Sequence, residues 1–458
     1  MALKLLVIGT SNSIRRGGYR EMLAALRPDV EIHLQGVGGS PSILLPYVLS
    51  GLAAEGPFAF DHVVIDTLVN DSGHTANGWA DEGLCEMALF EAIEWIAARG
   101  VPVTLLLMPQ TNVVEQARRL RERRRSLAAA RGIPVVDGYD VVDALRAAFD
   151  LNDARLFDDK AHSSWPVNLV LARRLAALIG GGATAPQGAP PSLPYFTLPL
   201  GEPGAARIQR ASSLTARSYL PLWQGAPVTL VTEGPADLLG IAFNTARASG
   251  FLRVEAEGGV LVKDLRTETD GPGDPEREMV HMVAATQTPL RGTRFVFSMH
   301  AERPTGALDA TKRIGEAVGQ SRGEAEIEAA VFRDARRPPW RPGKADPSPQ
   351  EGAVLSPEEV AIGLTATIAF SQDQRSLASR FFRARIANEP AFWERRPQQM
   401  ARLLIEFAAL LGEQGAARRL ARIASAQFPK AGLAPREEGG ERPRPPVPGG
   451  AARPRRAP

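Results

Sequence analysis

Between residues 3 and 180, short uninterrupted apolar runs alternate with longer segments in which apolar residues recur every third or fourth position. A continuous apolar run buries both faces of a strand, and the longer spacing buries one face of a helix. The alternation therefore predicts a parallel sheet covered by helices on both sides, an α/β fold. The pattern places strands at 3–8, 30–35, 62–69, 101–108 and 133–137, and helices at 18–26, 42–53, 81–99, 113–130 and 166–179.

The pattern changes after Gly180-Gly181-Gly182, which stops the last helix. Pro186, Pro190, Pro191 and Pro194 then stiffen a linker at 183–194, so the α/β domain is expected to span 1–182. From 195 to 335 apolar and polar residues alternate with period two. Leu252, Val254 and Ala256 alternate with Arg253 and Glu255, and Phe295, Phe297 and Met299 with Arg294 and Ser298. Several such runs between glycine-rich turns predict a β-sandwich accessory domain. Among its aromatics, Phe243, Phe251, Phe295 and Phe297 read as core; Trp223, beside Pro221 and Gly225, has a loop-like setting open to stacking on a sugar.

A second linker rich in proline and charge is expected at 336–353. Ser356-Pro357-Glu358-Glu359 reads as a helix start, with serine capping, proline in the first turn and glutamate reaching back. It opens a helical module over 354–430, where Leu403, Leu404, Phe407, Leu410, Leu411 and Leu420 fall at helical spacing. The tail, 431–458, lacks the apolar residues needed to offset chain entropy and is expected to be disordered.

Charge excludes more than it proposes. The 458 residues hold 54 Lys and Arg against 51 Asp and Glu, a net +3, and the tail's six arginines against three glutamates account for that excess. The body is near neutral, so no basic face for nucleic acid is expected. The run Arg118, Arg119, Arg121, Arg123, Arg124 and Arg125 on the fourth helix reads as a solvated face. The single Cys85 rules out an internal disulfide and reads as a buried thiol on a helix, and the scattered histidines lack metal-ligand spacing, so no metal or cofactor is expected. No stretch approaches the ~20 apolar residues of a spanning helix, and the run at 1–8 reads as the first strand rather than a leader. The expected location is cytoplasmic, with no membrane partner.

Two motifs suggest chemistry. Gly9-Thr10-Ser11-Asn12-Ser13 follows the first strand, and Asp159-Lys160-Ala161-His162 precedes the last helix. A serine hydroxyl is a weak nucleophile unless a neutral imidazole takes its proton and a carboxylate fixes that imidazole's tautomer. Asp159 and His162, on a turn entering a helix, supply both groups for Ser11. An oxyanion needs donors as well, and Gly38-Gly39-Ser40 and Asn70-Asp71, each after an apolar run, offer a closely approachable backbone amide and a neutral side-chain NH2. Taken singly, Ser11 reads as a helix cap, Asn70-Asp71 as a turn and His162 as a surface histidine. Their order and their strand-end placement turn them into a set.

In that order, the blocks resemble those of the SGNH (GDSL) hydrolase superfamily over roughly residues 1–180. The resemblance implies a flavodoxin-like α/β/α fold and metal-free hydrolysis or transfer of acyl esters. It implies Ser11 as nucleophile and first oxyanion amide, Gly39 and Asn70 as the other donors, His162 as base and Asp159 as its orienter. Thr10 stands where the family has aspartate and Asn12 where it has leucine. Leu68-Val69 precede Asn70-Asp71 where the family has a glycine, which predicts a reshaped substrate pocket. The expected activity is a serine esterase acting on O-acyl, chiefly acetyl, esters of a small molecule or saccharide, with polar Asn12, Ser13, Arg15 and Arg16 favouring a hydrated ligand. An O-acyltransferase using the same residues and an inactive binding or assembly protein are the alternatives, and the oligomeric state is left open.

Overall fold

The computed structural model describes residues 2–149, 151–180, 191–202, 204–212, 215–267, 279–312 and 321–340, with 355, 356, 359 and 362. The expected disordered tail and most of the expected helical module lie outside these residues. The first layer is built on strands β1 (Leu3–Gly9), β2 (Val30–Gly36), β3 (His62–Asp66), β4 (Val103–Leu107) and β5 (Val135–Asp137). They form a five-stranded parallel sheet in the order β2-β1-β3-β4-β5, the flavodoxin-like order. Leu6, Ile8, Val63, Ile65, Val103 and Leu105 join one apolar cluster with helices α3 (Leu44–Glu55) and α5 (Glu82–Ala97). Alternating Leu5, Val7 and Val64 are equally buried on the opposite face, and there α2 (Tyr19–Leu26) packs on α9 (Trp165–Leu178). Burial on both faces explains why these strands are apolar throughout.

The remaining helices are α1 (Ser11–Ile14), α4 (Leu68–Ala76), α6 (Val114–Ala129), α7 (Gly138–Phe149) and α8 (Asp153–Leu156). Of these only α6 falls where the sequence pattern puts a helix; α1 and α8 are single turns, and α4 and α7 are larger departures. The strand expected at 62–69 stops at Asp66, and Leu68 to Ala76 coil into α4, because an unbroken apolar run does not by itself distinguish strand from buried helix. Helix α7 was not expected, although Val141, Val142 and Leu145 bury one face of it. Asp159 and His162 lie opposite each other on a small antiparallel ribbon of β6 (Phe157–Asp159) and β7 (His162–Ser163), not on a turn leading straight into a helix.

The second sheet holds β8 (Tyr195–Pro199), β9 (Ile208–Ala211), β10 (Ala216–Trp223), β11 (Val228–Ser249), β12 (Phe251–Ala256), β13 (Gly259–Asp264), β14 (His281–His300), β15 (Ala307–Asp309) and β16 (Glu324–Asp334). Register shifts along the 22-residue β11 and 20-residue β14 bend the sheet around a core that includes Leu238, Phe243, Leu252, Phe295, Phe297 and Phe332. In place of the two packed sheets of the expected sandwich, the region is one continuous nine-stranded sheet.

Strands β11, β14 and β16 are also buried on both faces. Leu238, Phe243, Met282, Ala284 and Phe332 face the second core, whereas Leu239, Ala242, Val283, Ala285 and Val331 join the cluster of α3 and α5. Both sheets belong to one compact unit. At Gly240 a Cβ would meet the Ala284 carbonyl at 2.7 Å and Ile43 at 2.8 Å, so the approach of the layers requires glycine there. Residues 336–340, read as the start of a linker, return to α5: Trp340 stacks on Phe90 at 5.0 Å, and its amide donates to Glu91. Further on, the Ser356 amide donates to Glu359 and the Glu359 amide to Ser356 Oγ, the reciprocal pair expected at a helix start. Among the described residues no helix is long and apolar enough to cross a membrane.

Candidate active site

The sheet order reverses at β1, which lies between β2 and β3, and ligands of such sheets bind beyond the strand carboxyl ends at that reversal. Ser11 opens α1 directly after β1. Its Oγ is 2.8 Å from His162 Nε2, and His162 Nδ1 is 2.7 Å from Asp159 Oδ2. Asp159 also accepts the amides of Ala161 at 2.8 Å and His162 at 3.0 Å, which close the ribbon turn. Burial alone would raise this carboxyl, but the Ala161 amide and the imidazole outweigh it and hold Asp159 below its ordinary value. Asp159 is half open to water, with 56% of its side chain exposed, against 23% for His162. The neighbouring Asp158 pairs with Arg15 at 3.0 Å instead.

Two cross-links hold this ribbon against Ser11. Asn12 Nδ2 donates to the Ala161 carbonyl at 3.1 Å, and the Thr111 amide donates to the Lys160 carbonyl at 2.8 Å. Beneath Ser11, Tyr19 and Ser13 hydroxyls are 2.7 Å apart, and Ser13 Oγ donates to Asp66 Oδ2 at 3.0 Å. With a single hydrogen on Ser13 Oγ, the chain runs from Tyr19 to Ser13 to Asp66. Burial pushes Asp66 up to about 7. Asn12 and Ser13 are buried, so they bond protein rather than ligand, contrary to the hydrated-ligand role expected for them.

The turn from Gly38 to Ser42 is held from the side by α4. Asn70 Nδ2 donates to the Ser40 carbonyl at 2.9 Å, leaving its second N–H for another acceptor. Asp71 accepts Ser42 N and Ser42 Oγ, each at 2.6 Å. His74 Nε2 donates to the Gly39 carbonyl at 2.7 Å, and the second sheet reaches the same turn through the Val283 amide, 2.9 Å from Ser40 Oγ. Gly39 has φ +77°, a left-handed backbone that favours glycine.

Leu68 does not line this cleft. It is fully buried against Leu107 and Leu120, because the helical turn at 68 rotates it into the core; the expected reshaping of the pocket by its side chain does not occur. The arginine run is not a solvated face either. Arg118 and Arg119 stay exposed, but Arg124 is buried 2.5 Å from Asp71, and Arg121 and Arg125 contact Asp137 at 2.8 and 3.1 Å. Cys85 is buried on α5, and no cluster able to hold a metal occurs among the described residues. In the second sheet, Trp223 is 54% exposed while Phe243, Phe251, Phe295 and Phe297 are buried.

The motifs gave no notice of Asn12 as a tie, of the Ser13–Asp66 pair or of His74. His74 had a usable signal, since it lies four residues after Asn70 and therefore on the same helix face.

Serine, histidine and aspartate thus lie in hydrogen-bonded series at the carboxyl edge of a doubly wound α/β sheet, an order that can pass a proton from the hydroxyl to the imidazole. Among solved structures, the chain is similar to a two-domain esterase active on acetylated mannans, at 12% identity and a TM-score of 0.44, over 72% of this chain and 91% of that one. It is also similar to a catalytic mutant of an acetylxylan esterase from Geobacillus stearothermophilus, at 20% identity and a TM-score of 0.32, over 40% and 97% of the two chains. A third is a putative lipolytic protein of the G-D-S-L family from Desulfitobacterium hafniense, at 17% identity and a TM-score of 0.32, over 38% and 99%. No protein-family model matches the chain, and no curated protein does.

Proposed function

We propose that this protein is a serine esterase that removes short acyl groups, chiefly acetyl, from a carbohydrate or similarly polar alcohol. The observation that carries the reading is the continuous series from Ser11 Oγ through His162 to Asp159, with contacts of 2.8 and 2.7 Å. In this reading Ser11 Oγ attacks the ester carbonyl while His162 Nε2 takes its proton, and Asp159 stabilises the imidazolium. The tetrahedral oxyanion is received by the Ser11 and Gly39 amides and the free N–H of Asn70. Collapse breaks the bond to the alkoxy oxygen, which takes the proton from His162 and leaves as the alcohol. Water then attacks the acyl-serine, gives its proton to His162, and the acid departs as Ser11 recovers its hydrogen.

The preference for a short acyl group is supported by the scarcity of exposed apolar side chains near the site. Leu68 is in the core, and the large apolar side chains exposed among the described residues are Val114, Trp223, Val231 and Leu308, none in the segments that carry the relay or the Gly39 turn. A long acyl chain needs an apolar channel; an acetyl group does not. The test is a series of esters of one alcohol, acetyl to octanoyl, alongside acetate release from acetylated oligosaccharides in water and with a sugar acceptor present. Fastest turnover on acetyl esters with free acetate as product supports the proposal. A rate rising with acyl length contradicts the substrate class, and acyl transfer to the sugar in preference to water makes the protein a transferase.

A further inference from the structure

Lys312 is a cation with no counter-ion among the described residues. It follows β15, in a strap fixed to β13 and β14 by a buried pair: Lys263 Nζ lies 2.6 Å from Asp309 Oδ1 and also donates to the carbonyls of Ala285 and Ala310. The Gln287 amide holds the other Asp309 oxygen at 2.8 Å. Lys263 is thereby neutralised. Three residues on, Lys312 has no carboxylate partner and no hydrogen-bond acceptor among the described residues. Its side chain instead crosses to the first layer, where a Cβ built on Gly39 would lie 3.8 Å from Lys312 Nζ and 3.7 Å from Met282 Sδ. Burial depresses the Lys312 amine from its ordinary value. The cation is felt across the layers: His74, pushed down to about 3 chiefly by burial, is lowered further by Lys312.

Lys312 is half-buried, and an ammonium with no counter-ion among the described residues gains little from staying there, so truncating it to a neutral chain should cost little stability unless an anion comes to it. The turn beside it is the one whose Gly39 carbonyl is pinned by His74 and whose Ser40 hydroxyl is pinned by Val283, which hold the Gly39–Ser40 peptide on the carboxyl side of the Gly39 amide. We propose that Lys312, supplied by the second sheet, provides positive potential for the oxyanion that forms at the Gly39 amide. The inference rests on the serine-esterase reading above. It makes the second sheet part of the reaction rather than only an appended binding module. Lys312 acts through space on the developing charge, and the Gly39 amide remains the group in contact with it. An oxygen at hydrogen-bond distance from that amide lies no more than about 9 Å from the ammonium. At that limit and an effective dielectric near 20, the interaction corresponds to about 20-fold in rate.

The test compares wild-type protein with Lys312→Met and Lys312→Cys on a neutral acetyl ester, measuring kcat, KM and thermal midpoint. The expected result for Lys312→Met is a kcat lower by roughly 10- to 30-fold, KM within about threefold, and a midpoint unchanged or raised because a buried charge is gone. Treating Lys312→Cys with bromoethylamine, which rebuilds an ammonium at nearly the same reach, should restore most of the kcat, whereas the same treatment of wild type, whose Cys85 is buried, should change nothing. Unchanged kcat in a folded Lys312→Met protein overturns the inference while leaving the esterase standing. So does a change confined to KM, or a loss of both midpoint and kcat that the rebuilt ammonium does not repair. Absence of Ser11-dependent turnover in wild type overturns the esterase reading and this inference with it.

Discussion

Replacing Arg124 by methionine removes one partner of a buried ion pair while keeping the unbranched stem of the side chain. Arg124 is 1% exposed and Asp71 0%, with Nη2 and Oδ2 2.5 Å apart. Asp71 cannot turn outward, because the amide and hydroxyl of Ser42 hold it at 2.6 Å. Breaking such a pair costs about 3–5 kcal/mol, since the remaining charge is stranded in the interior. The two Ser42 donors stay in place and soften the loss, which puts the expectation at the lower end, about 3 kcal/mol. In urea this is a midpoint lower by roughly 1 M for a slope of 2–3 kcal/mol per M. Because Asp71 also anchors the turn that carries Gly39, catalytic rate should fall together with stability. The companion variant Arg124→Met/Asp71→Asn removes the stranded charge and should recover part of the loss, giving a coupling energy above about 1 kcal/mol. A loss below 1 kcal/mol in Arg124→Met, or strict additivity in the double variant, would refute this account of the α4–α6 contact.

Four other substitutions probe the site. Asp159→Asn should lower kcat by about 10- to 10³-fold, less than the ~10⁴ found where the orienting carboxylate is fully buried, whereas Asp158→Asn, whose partner is Arg15, should change it little; the reverse order in steady-state assays would assign the wrong carboxylate. Asn70→Ala should lower kcat by about 10²-fold with little change in KM, and an effect confined to KM would place Asn70 in substrate binding. Asp66, raised to about 7 by burial, keeps its proton in the fold while the unfolded chain loses it near 3.8, so its contribution to stability is fully present below about 4 and is lost as pH rises through 7. That contribution is roughly 4 kcal/mol, so Asp66→Asn should flatten the stability profile between pH 4 and 8 and be the more stable protein at pH 8; parallel profiles would contradict it.

Much of this is legible in the amino-acid sequence. The strands of the first sheet read directly from runs such as Leu5 to Ile8, because a strand buried on both faces leaves no polar alternation to interpret. The meeting of Ser11 with His162 and Asp159 was legible as well, since Gly-x-Ser follows the first strand and Asp-x-x-His precedes the last helix. What was not legible depends on partners distant in sequence. Six arginines in one helix look like a solvated face until Asp71, Asp137 and Asp140 arrive from other elements. Asn12 and Ser13 look like a polar surface until Ala161 and Asp66 accept from them. Leu68 follows an apolar run without a break, so nothing local marks the change from β3 to α4 that turns it inward. The second sheet betrayed its alternation but not its docking, because whether a residue such as Val283 faces its own core or the neighbouring layer is fixed only when α3 and α5 are in place.

The central claim is that Ser11 is a nucleophile activated by His162, and labelling with a fluorophosphonate reports it most directly. Wild-type protein and Ser11→Ala would be treated alike, digested, and the adduct located by mass spectrometry, with thermal midpoints confirming that both are folded. The account predicts one adduct, on Ser11, absent from Ser11→Ala and strongly reduced in His162→Ala. An adduct on a different residue, or undiminished ester turnover by folded Ser11→Ala, would contradict it.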